Sequence, residues 1–246
     1  MTLKLAWRNL LRNKRRTLIA ATAIAISLAC LILYEAFMLG MTETMIRSAT
    51  DTFLGQAQIV HARFDEDMDV NLTLTHPDHL LQQLGQDPRV QAFAPRIMSP
   101  AMISSPANMS GIVLVGVDPT LERPLSLMDE AIREGSFLDG DGLRDLVIGS
   151  RLARDLEVGL GDRVVVTVNK AHDEGMAQEL FRISGITHFG IREMDQGQAF
   201  IRLPRAQSLL GLEHGLHQIA IRFHHLRDSM RPDWSFWSDY SGQGNE

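Results

Sequence analysis

The sequence predicts an α+β protein in which one membrane-spanning helix near the N-terminus precedes a mixed domain over residues 55–230. Three observations lead to this class. Residues 17–34 contain no charged side chain, and a run of this kind is long enough for a membrane helix. The residues after it alternate short β-branched runs with short helical segments and Gly, Pro or Asp turns. The 246 residues are 45% hydrophobic, which is enough for a folded core.

The charges divide the chain into a basic head and an acidic body. Residues 1–34 hold six basic residues and no acidic ones, whereas residues 35–246 hold the other 18 basic and all 30 acidic residues. A basic flank beside a membrane helix stays in the cytoplasm. We therefore expect a cytoplasmic N-terminus and a main domain that faces outward, which in a bacterium means the periplasm. An acidic body does not suit nucleic-acid binding.

The membrane helix is predicted over residues 17–41. Glu35 interrupts the apolar run and is expected near the far interface, where a carboxylate reaches water. Two alternatives stay open: a cleavable signal peptide and a lipoprotein signal that ends at Cys30. The apolar core of a signal peptide spans about 7–15 residues. Here the apolar run continues beyond Cys30, which favours a membrane helix.

Residues 1–16 are predicted to form a cytoplasmic amphipathic helix that lies in the membrane surface. Basic residues recur at helical spacing from Lys4 onward, and the leucines lie mostly on the other side. The alternative is a generic positive flank that only sets topology. The residues assigned to the membrane interface and to topology are Trp7, Arg8, Arg12, Lys14, Arg15 and Arg16.

Residues 42–54 have mixed polarity and contain neither Pro nor Gly. We expect the membrane helix to continue through them as a stalk, and Gly55 is expected to end it.

Short strands and helices are predicted for the body. Pro95 and Pro100 predict that any strand within residues 90–105 is interrupted or lies at a sheet edge. Helices are predicted at 79–85 with Asp78 as the cap, after Ser150 as the cap, and at 204–210. The predicted strands are 56–62, 109–117, 146–148, 163–168, 180–187, 198–202 and 218–223.

The sequence contains no P-loop, G-x-S-x-G or H-E-x-x-H motif. We therefore predict no catalytic, cofactor-binding or metal-binding residue, and expect any ATP chemistry to come from a partner. The acidic residues at 65–69 are interpreted as a solvated loop, since the calcium-binding pattern is incomplete. The histidines are interpreted as solvent-facing rather than as zinc ligands; they are His214, His217, His224 and His225.

Two stretches resemble one protein family. The N-terminal stretch contains Trp7-Arg8-Asn9-Leu10 and then Arg15-Arg16-Thr17 before the apolar run. It resembles the opening of MacB/LolC/LolE/FtsX-type ABC transporter permeases. The second stretch contains Ile148-Gly149-Ser150, Val158-Gly159 and Gly161-Asp162, and is similar to the periplasmic domain of the same family. The two matches occur in the expected order, and the resemblance covers nearly the whole chain.

This resemblance implies a MacB-like periplasmic core of two α+β subdomains and a permease subunit of a lipoprotein-releasing or MacB-like export system. It also implies a separate ABC ATPase that binds ATP and Mg²⁺ and whose motion is transmitted to the periplasmic domain. A second permease copy or paralogue, membrane lipid, and a lipoprotein or peptide cargo are the other expected partners. The sequence does not identify cargo-binding residues.

Permeases of this family continue into three more membrane helices, so residues 231–246 are expected to lead toward further spans. The sequence then represents a truncated form, a gene fragment or a degenerate paralogue. The aromatic residues Trp234, Phe236, Trp237 and Tyr240 either pack back on the domain, approach a membrane span or form a binding patch. The alternative function is a single-span membrane protein with a periplasmic ligand-binding or sensor domain.

Overall fold

The computed structural model describes residues 14–49, 53, 55–64, 68–140, 142–173, 175–229, 231 and 233–241. The chain divides into two compact units, with the boundary between Ser48 and Ala49.

A long helix, α1, forms the first unit and extends over Lys14–Ala49. Its 36 residues correspond to a length of about 54 Å. Hydroxyl groups in the apolar part bond back to the preceding turn: Ser27 Oγ donates to the Ala23 carbonyl at 2.9 Å, and Thr42 Oγ1 donates to the Met38 carbonyl at 2.9 Å. Such bonds satisfy the hydroxyls within the helix, as a lipid environment requires.

The sequence divided this region into an interfacial helix, a membrane helix and a stalk. Residues 1–13 lie outside the described residues, so the interfacial helix stays a prediction. α1 is continuous through residues 42–49. Residues 50–52 and 54 are also outside the described residues, and the remainder of the stalk stays a prediction.

The second unit is a mixed α+β domain, which confirms the predicted class. Its strands are β1 (Ala57–Val60), β2 (Val90–Ser104), β3 (Met109–Val117), β4 (Ile132–Gly135), β5 (Asp145–Gly149), β6 (Arg163–Asn169), β7 (Met176–Thr187), β8 (Gln198–Arg202) and β9 (Gln218–Phe223). Its helices are α2 (Pro77–Gln86), α3 (Pro119–Glu122), α4 (Ser150–Asp155), α5 (Arg192–Gly197), α6 (Leu203–Leu210), α7 (Leu226–Ser229) and α8 (Ser235–Tyr240).

Six strands form a closed ring in the order β2-β3-β8-β5-β7-β6, and β6 pairs with β2 again. The pairs β3–β8 and β5–β7 are parallel, and the other four are antiparallel. β9 extends the sheet from β2, β1 from β9, and β4 from β7. All nine strands belong to one hydrogen-bonded network, and the division of the domain into two subdomains stays a prediction.

β2 is the longest strand of the domain, with 15 residues. The expectation that the prolines interrupt it or place it at an edge is wrong. Pro95 pairs with Ile219 of β9, and the pairing with β3 begins one residue later. Pro100 lies between the β2 residues that pair with β9 and those that pair with β6. At each proline one flank of β2 therefore lacks a paired strand, and a residue without an N–H is tolerated there.

The main core lies inside the ring and beneath α6. Ile97, Leu114, Val166 and Ile201 are all fully buried there. Gly116 of β3 lets α6 approach, because an added Cβ would lie 2.3 Å from the Cβ of Ala206.

The predicted strands 109–117, 198–202 and 218–223 are confirmed with the bounds expected from the sequence. Two predicted caps are wrong. His76, not Asp78, precedes α2 as its cap residue, and Gly149 precedes α4, so Ser150 is already helical. β4, α5 and α8 were not predicted; they are four, six and six residues long.

Candidate functional site

The first functional element is the apolar part of α1. Lys14–Thr42 is long and apolar enough to cross a membrane by length and composition. Lys14, Arg15 and Arg16 are exposed in its first turn. Trp7, Arg8 and Arg12 lie outside the described residues, and the topological role of all six residues stays a prediction.

An aromatic ring anchors the segment that follows α1. Phe53, four residues beyond Ala49, is 3% exposed. The centre of its ring lies 3.9 Å from Cζ of Arg96 and 5.7 Å from the ring of Phe200, in an edge-on arrangement. A cation above an aromatic face contributes about 2 kcal/mol when the pair is desolvated. Phe53 therefore fastens this segment to the domain.

Beneath Phe53 lies a fully buried ion pair. Arg96 of β2 donates from Nε to Oε2 of Glu122 at 3.1 Å and from Nη2 to Oε1 at 2.5 Å. Both side chains are 0% exposed. Asp118 positions the carboxylate, because it caps α3 through the Thr120 amide at 2.9 Å and Glu122 ends that helix. Phe53, Arg96 and Glu122 are called the N-terminal joint.

A second contact fastens the C-terminal segment. Phe236 of α8 is 1% exposed and packs edge-on against Phe223 at the end of β9, with ring centres 4.7 Å apart. Arg89 pairs with Asp87 at 2.6 Å and with Asp239 of α8 at 2.9 Å. Its guanidinium also lies over the ring of Phe236 at 5.2 Å. Of the three sequence interpretations, the aromatic segment therefore packs back on the domain.

Tyr240 completes this contact, since its hydroxyl donates to Oδ2 of Asp87 at 3.2 Å. The hydrogen bond from Arg89 lowers the pKa of Asp87 below its ordinary value, and the same bond raises the pKa of Arg89. Burial, together with the charge of Asp87, raises the pKa of Tyr240 to about 12. Asp87, Arg89, Phe223, Phe236 and Tyr240 are called the C-terminal joint, and its ion pair stays charged at neutral pH.

Each joint contains an arginine that lies in β2 or in the turn just before it. Arg89 directly precedes Val90, and Arg96 lies within the strand. Phe53 and the segment near the C-terminus thus each contact a residue in β2 or directly before it, and Phe236 also packs on β9.

A cleft of about 630 Å³ lies between residues 68–71, β2 and the β6–β7 hairpin. Buried His217 supports its wall. Its Nδ1 accepts from the Met98 amide at 3.0 Å, so the proton is on Nε2, which donates to the Val70 carbonyl at 2.9 Å. Burial lowers the pKa of His217. The solvent-facing interpretation is wrong for His217, while His214, His224 and His225 are exposed as expected.

One cluster has the composition of a nucleophilic triad but not its geometry. Ser150 Oγ lies 3.0 Å and Asp195 Oδ2 3.2 Å from the same atom, Nδ1 of His188. A relay needs the hydroxyl and the carboxylate on different ring nitrogens. Asp195 also accepts from the amides of Phe189 and Gly190 at 2.7 and 3.1 Å. The cluster therefore holds the loop before α5 in place.

Sequence reasoning missed the residues of both joints. Nothing in the local sequence marks Arg96 as buried, because neighbouring strand residues such as Arg96 and Ile97 point to opposite faces. Nor does the sequence indicate that Glu122, 26 residues away, is its partner. Nothing in the local sequence pairs Arg89 with the segment around Phe236.

The fold and the joints define a class: an α+β domain attached through an anchored segment to one helix of membrane-spanning length. The chain belongs to the MacB-like periplasmic core domain family, which matches residues 17–231. It is an ABC transporter permease-type periplasmic domain of the MacB/LolC/LolE kind.

Two relatives are lipoprotein-releasing system transmembrane proteins. LolE of Haemophilus influenzae is 24% identical over 142 residues, which are 56% of this chain and 34% of the relative. LolC of Neisseria meningitidis is 24% identical over 222 residues, which are 85% of this chain and 51% of the relative. The chain thus spans a third to a half of the length of these two relatives.

Two solved structures share the fold. The extracellular domain of the noncanonic ABC-type transporter YknZ from Gram-positive bacteria has a TM-score of 0.50 and 14% identity, and the match covers 75% of this chain and 93% of that domain. The periplasmic region of MacB from Actinobacillus actinomycetemcomitans also has a TM-score of 0.50, with 10% identity, and the match covers 76% and 85%.

Proposed function

We propose that this chain is the N-terminal part of a permease subunit in an ATP-driven ABC transporter of the lipoprotein-releasing or MacB-like export type. The family match over residues 17–231 supports the permease class. The proposed mechanical role rests on one observation: the segments that contain Phe53 and Phe236 are both attached at or beside β2.

In this proposal the chain transmits motion. An α-helix of 36 residues is stiff along its axis, so a displacement at one end of α1 reaches the other end. The segment beyond it is anchored by Phe53 on the buried pair of Arg96 and Glu122. β2 then passes the displacement to β3, β6 and β9, with which it shares hydrogen bonds.

The proposed location is the bacterial inner membrane, with the N-terminus in the cytoplasm and the domain in the periplasm. Lys14, Arg15 and Arg16 at the start of α1 support this orientation. ATP and Mg²⁺ would bind to a separate ABC ATPase, and this chain would have no catalytic role.

A second permease copy or paralogue would complete the complex. The two relatives carry names of lipoprotein-releasing systems, so a lipoprotein is the first cargo candidate and a peptide the second. Membrane lipid would surround the apolar part of α1.

Co-purification tests the proposal. The full-length gene product, tagged and extracted from its own membranes in mild detergent, should retain an ABC ATPase that mass spectrometry identifies. The isolated complex should hydrolyse ATP, and that activity should disappear when the Walker lysine of the ATPase is replaced. Recovery of this protein without an ATPase would overturn the permease assignment and leave a single-span ligand-binding or sensor protein.

A further inference from the structure

One strand of the ring has an unpaired flank. β6 pairs with residues 176–182 of β7 on one side and β4 continues on that side at residues 185–187, whereas β5 pairs on the other side only from Arg182 onward. Among the described residues, no strand therefore pairs with this flank between Met176 and Phe181. An unpaired strand flank is a template for another strand.

The direction of the backbone groups follows from the neighbouring hydrogen bonds. Ile183 donates to the Asp162 carbonyl at 2.9 Å and accepts from the Gly161 amide at 2.8 Å, so its groups face β6. The Arg182 amide points the other way and donates to the Arg144 carbonyl at 2.9 Å. By the alternation of an antiparallel ladder, the N–H and C=O of Gln178 and Leu180 also face away from β6.

A cleft of about 370 Å³ runs along this flank, with α6 as its other wall. Cations surround it. Arg144 donates from Nε to Oε1 of Glu179 at 3.0 Å, and Arg205 of α6 donates from Nε to Oε2 at 2.8 Å. Lys170 also lines the cleft.

The carboxylate of Glu179 is 7% exposed and orients both guanidinium groups. It brings one negative charge to the two positive charges of Arg144 and Arg205. The side chain of Arg144 is 67% exposed, and its two Nη groups make no hydrogen bond within the described part of the chain. The cleft is therefore positively charged, although residues 35–246 as a whole hold 30 acidic and 18 basic residues.

We propose that the cleft between β7 and α6 binds an extended acidic peptide segment, which adds as a strand to Gln178 and Leu180 while its carboxylates pair with Arg144 and Arg205. Main-chain bonds give such a site its affinity, and the flanking side chains give it specificity. The complementary charge selects an acidic segment over a neutral or basic one. This site does not depend on the proposed transport function.

Peptide binding to the full chain in detergent tests this inference. The probes are two pools of acetylated heptapeptides with random Val, Thr, Ile and Tyr, which differ only by two Glu or two Lys at alternate positions. We expect the Glu pool to bind at least about tenfold more tightly. The same Glu pool with N-methylated alternate residues should lose binding, since a strand cannot then pair.

Arg144→Gln is the main variant, because this exposed arginine can be replaced with little effect on folding. It should weaken binding of the Glu pool about tenfold, as expected for loss of a charge-assisted bond. Arg151→Gln is the matched control, since Arg151 is exposed and does not line the cleft. Hydrogen exchange should slow at Gln178 and Leu180 when the Glu pool is bound.

Equal binding of the two pools would overturn the inference, as would a Glu pool that fails to bind at millimolar concentration. Binding that survives N-methylation, or that Arg144→Gln and Arg151→Gln weaken equally, would overturn it too. Because the readout is peptide affinity, a protein without an ATPase partner can still satisfy this test.

Discussion

Replacement of Arg96 by Met should destabilise the domain strongly. The substitution leaves the carboxylate of Glu122, which is 0% exposed, without its only described cation. Loss of one partner of a buried ion pair costs about 3–5 kcal/mol. Arg96→Met also removes the cation beneath Phe53, whose ring centre lies 3.9 Å from Cζ.

The double variant Arg96→Met, Glu122→Leu should recover most of this loss. It replaces both charges with apolar side chains of similar size, and such exchanges are often neutral. We expect the double variant to lie within about 1 kcal/mol of the wild type. The control is Arg123→Met, because Arg123 pairs with Asp129 on the surface at 41% exposure, where an ion pair contributes about 0–1 kcal/mol.

Thermal unfolding of the full chain in detergent measures these differences. Trp234 and Trp237 pack beside Phe223 and report loss of tertiary structure by fluorescence. At 2–4 °C per kcal/mol for a domain of this size, Arg96→Met should lower the Tm by about 10 °C. The reasoning fails if Arg96→Met unfolds within about 2 °C of Arg123→Met, or if the double variant is less stable than Arg96→Met alone.

Three further predictions concern packing and pH. Gly116→Ala should destabilise the domain by about 1–3 kcal/mol, because the new Cβ would lie 2.3 Å from a side chain of α6. The control Gly111→Ala, in the same strand, has open space around the new Cβ and should be neutral. Equal Tm values for the two variants would contradict this. Asp87 has a lowered pKa in the folded state, so its stabilising effect should vanish as pH falls below its ordinary pKa of about 3.9. Between pH 6 and 3, the Tm of Asp87→Asn should therefore fall less than the Tm of the wild type. Buried His217 also has a lowered pKa, so stability should fall as pH drops below about 6.5, and His217→Gln should remove this loss; an unchanged pH profile would count against the neutral buried form.

The sequence predicted those strands whose signal is local. Met109–Val117 is a run of apolar and β-branched residues between turns, and the structure has a strand with the same bounds. The sequence did not predict β2 as one continuous strand, because Pro95 and Pro100 indicate an interruption when each is considered alone. Their effect depends on which flank of the strand is paired at that residue, and this is a property of the assembled sheet.

The joints could not be predicted because their partners are distant in the chain. Arg96 and Glu122 are separated by 26 residues, and Tyr240 and Asp87 by 153. Periodicity reports which face of an element is buried but not what lies opposite. His217 illustrates the same limit, since its burial follows from contacts with Val70 and Met98 rather than from its neighbours in sequence.

The placement of both joints on β2 determines how tension would spread through the domain. Arg89 and Arg96 are seven residues apart, about 23 Å along a strand. A pull applied between the two flanking segments would load this short stretch of β2 in shear first, and β3, β6 and β9 would receive the load only through their hydrogen bonds with it. The ring of six strands would then rotate about β2 as a rigid body rather than extend. Optical-tweezers extension between handles at Thr42 and Ser241 would show this as an early opening of the two joints while the ring is still folded. A single rupture of the whole domain would contradict it.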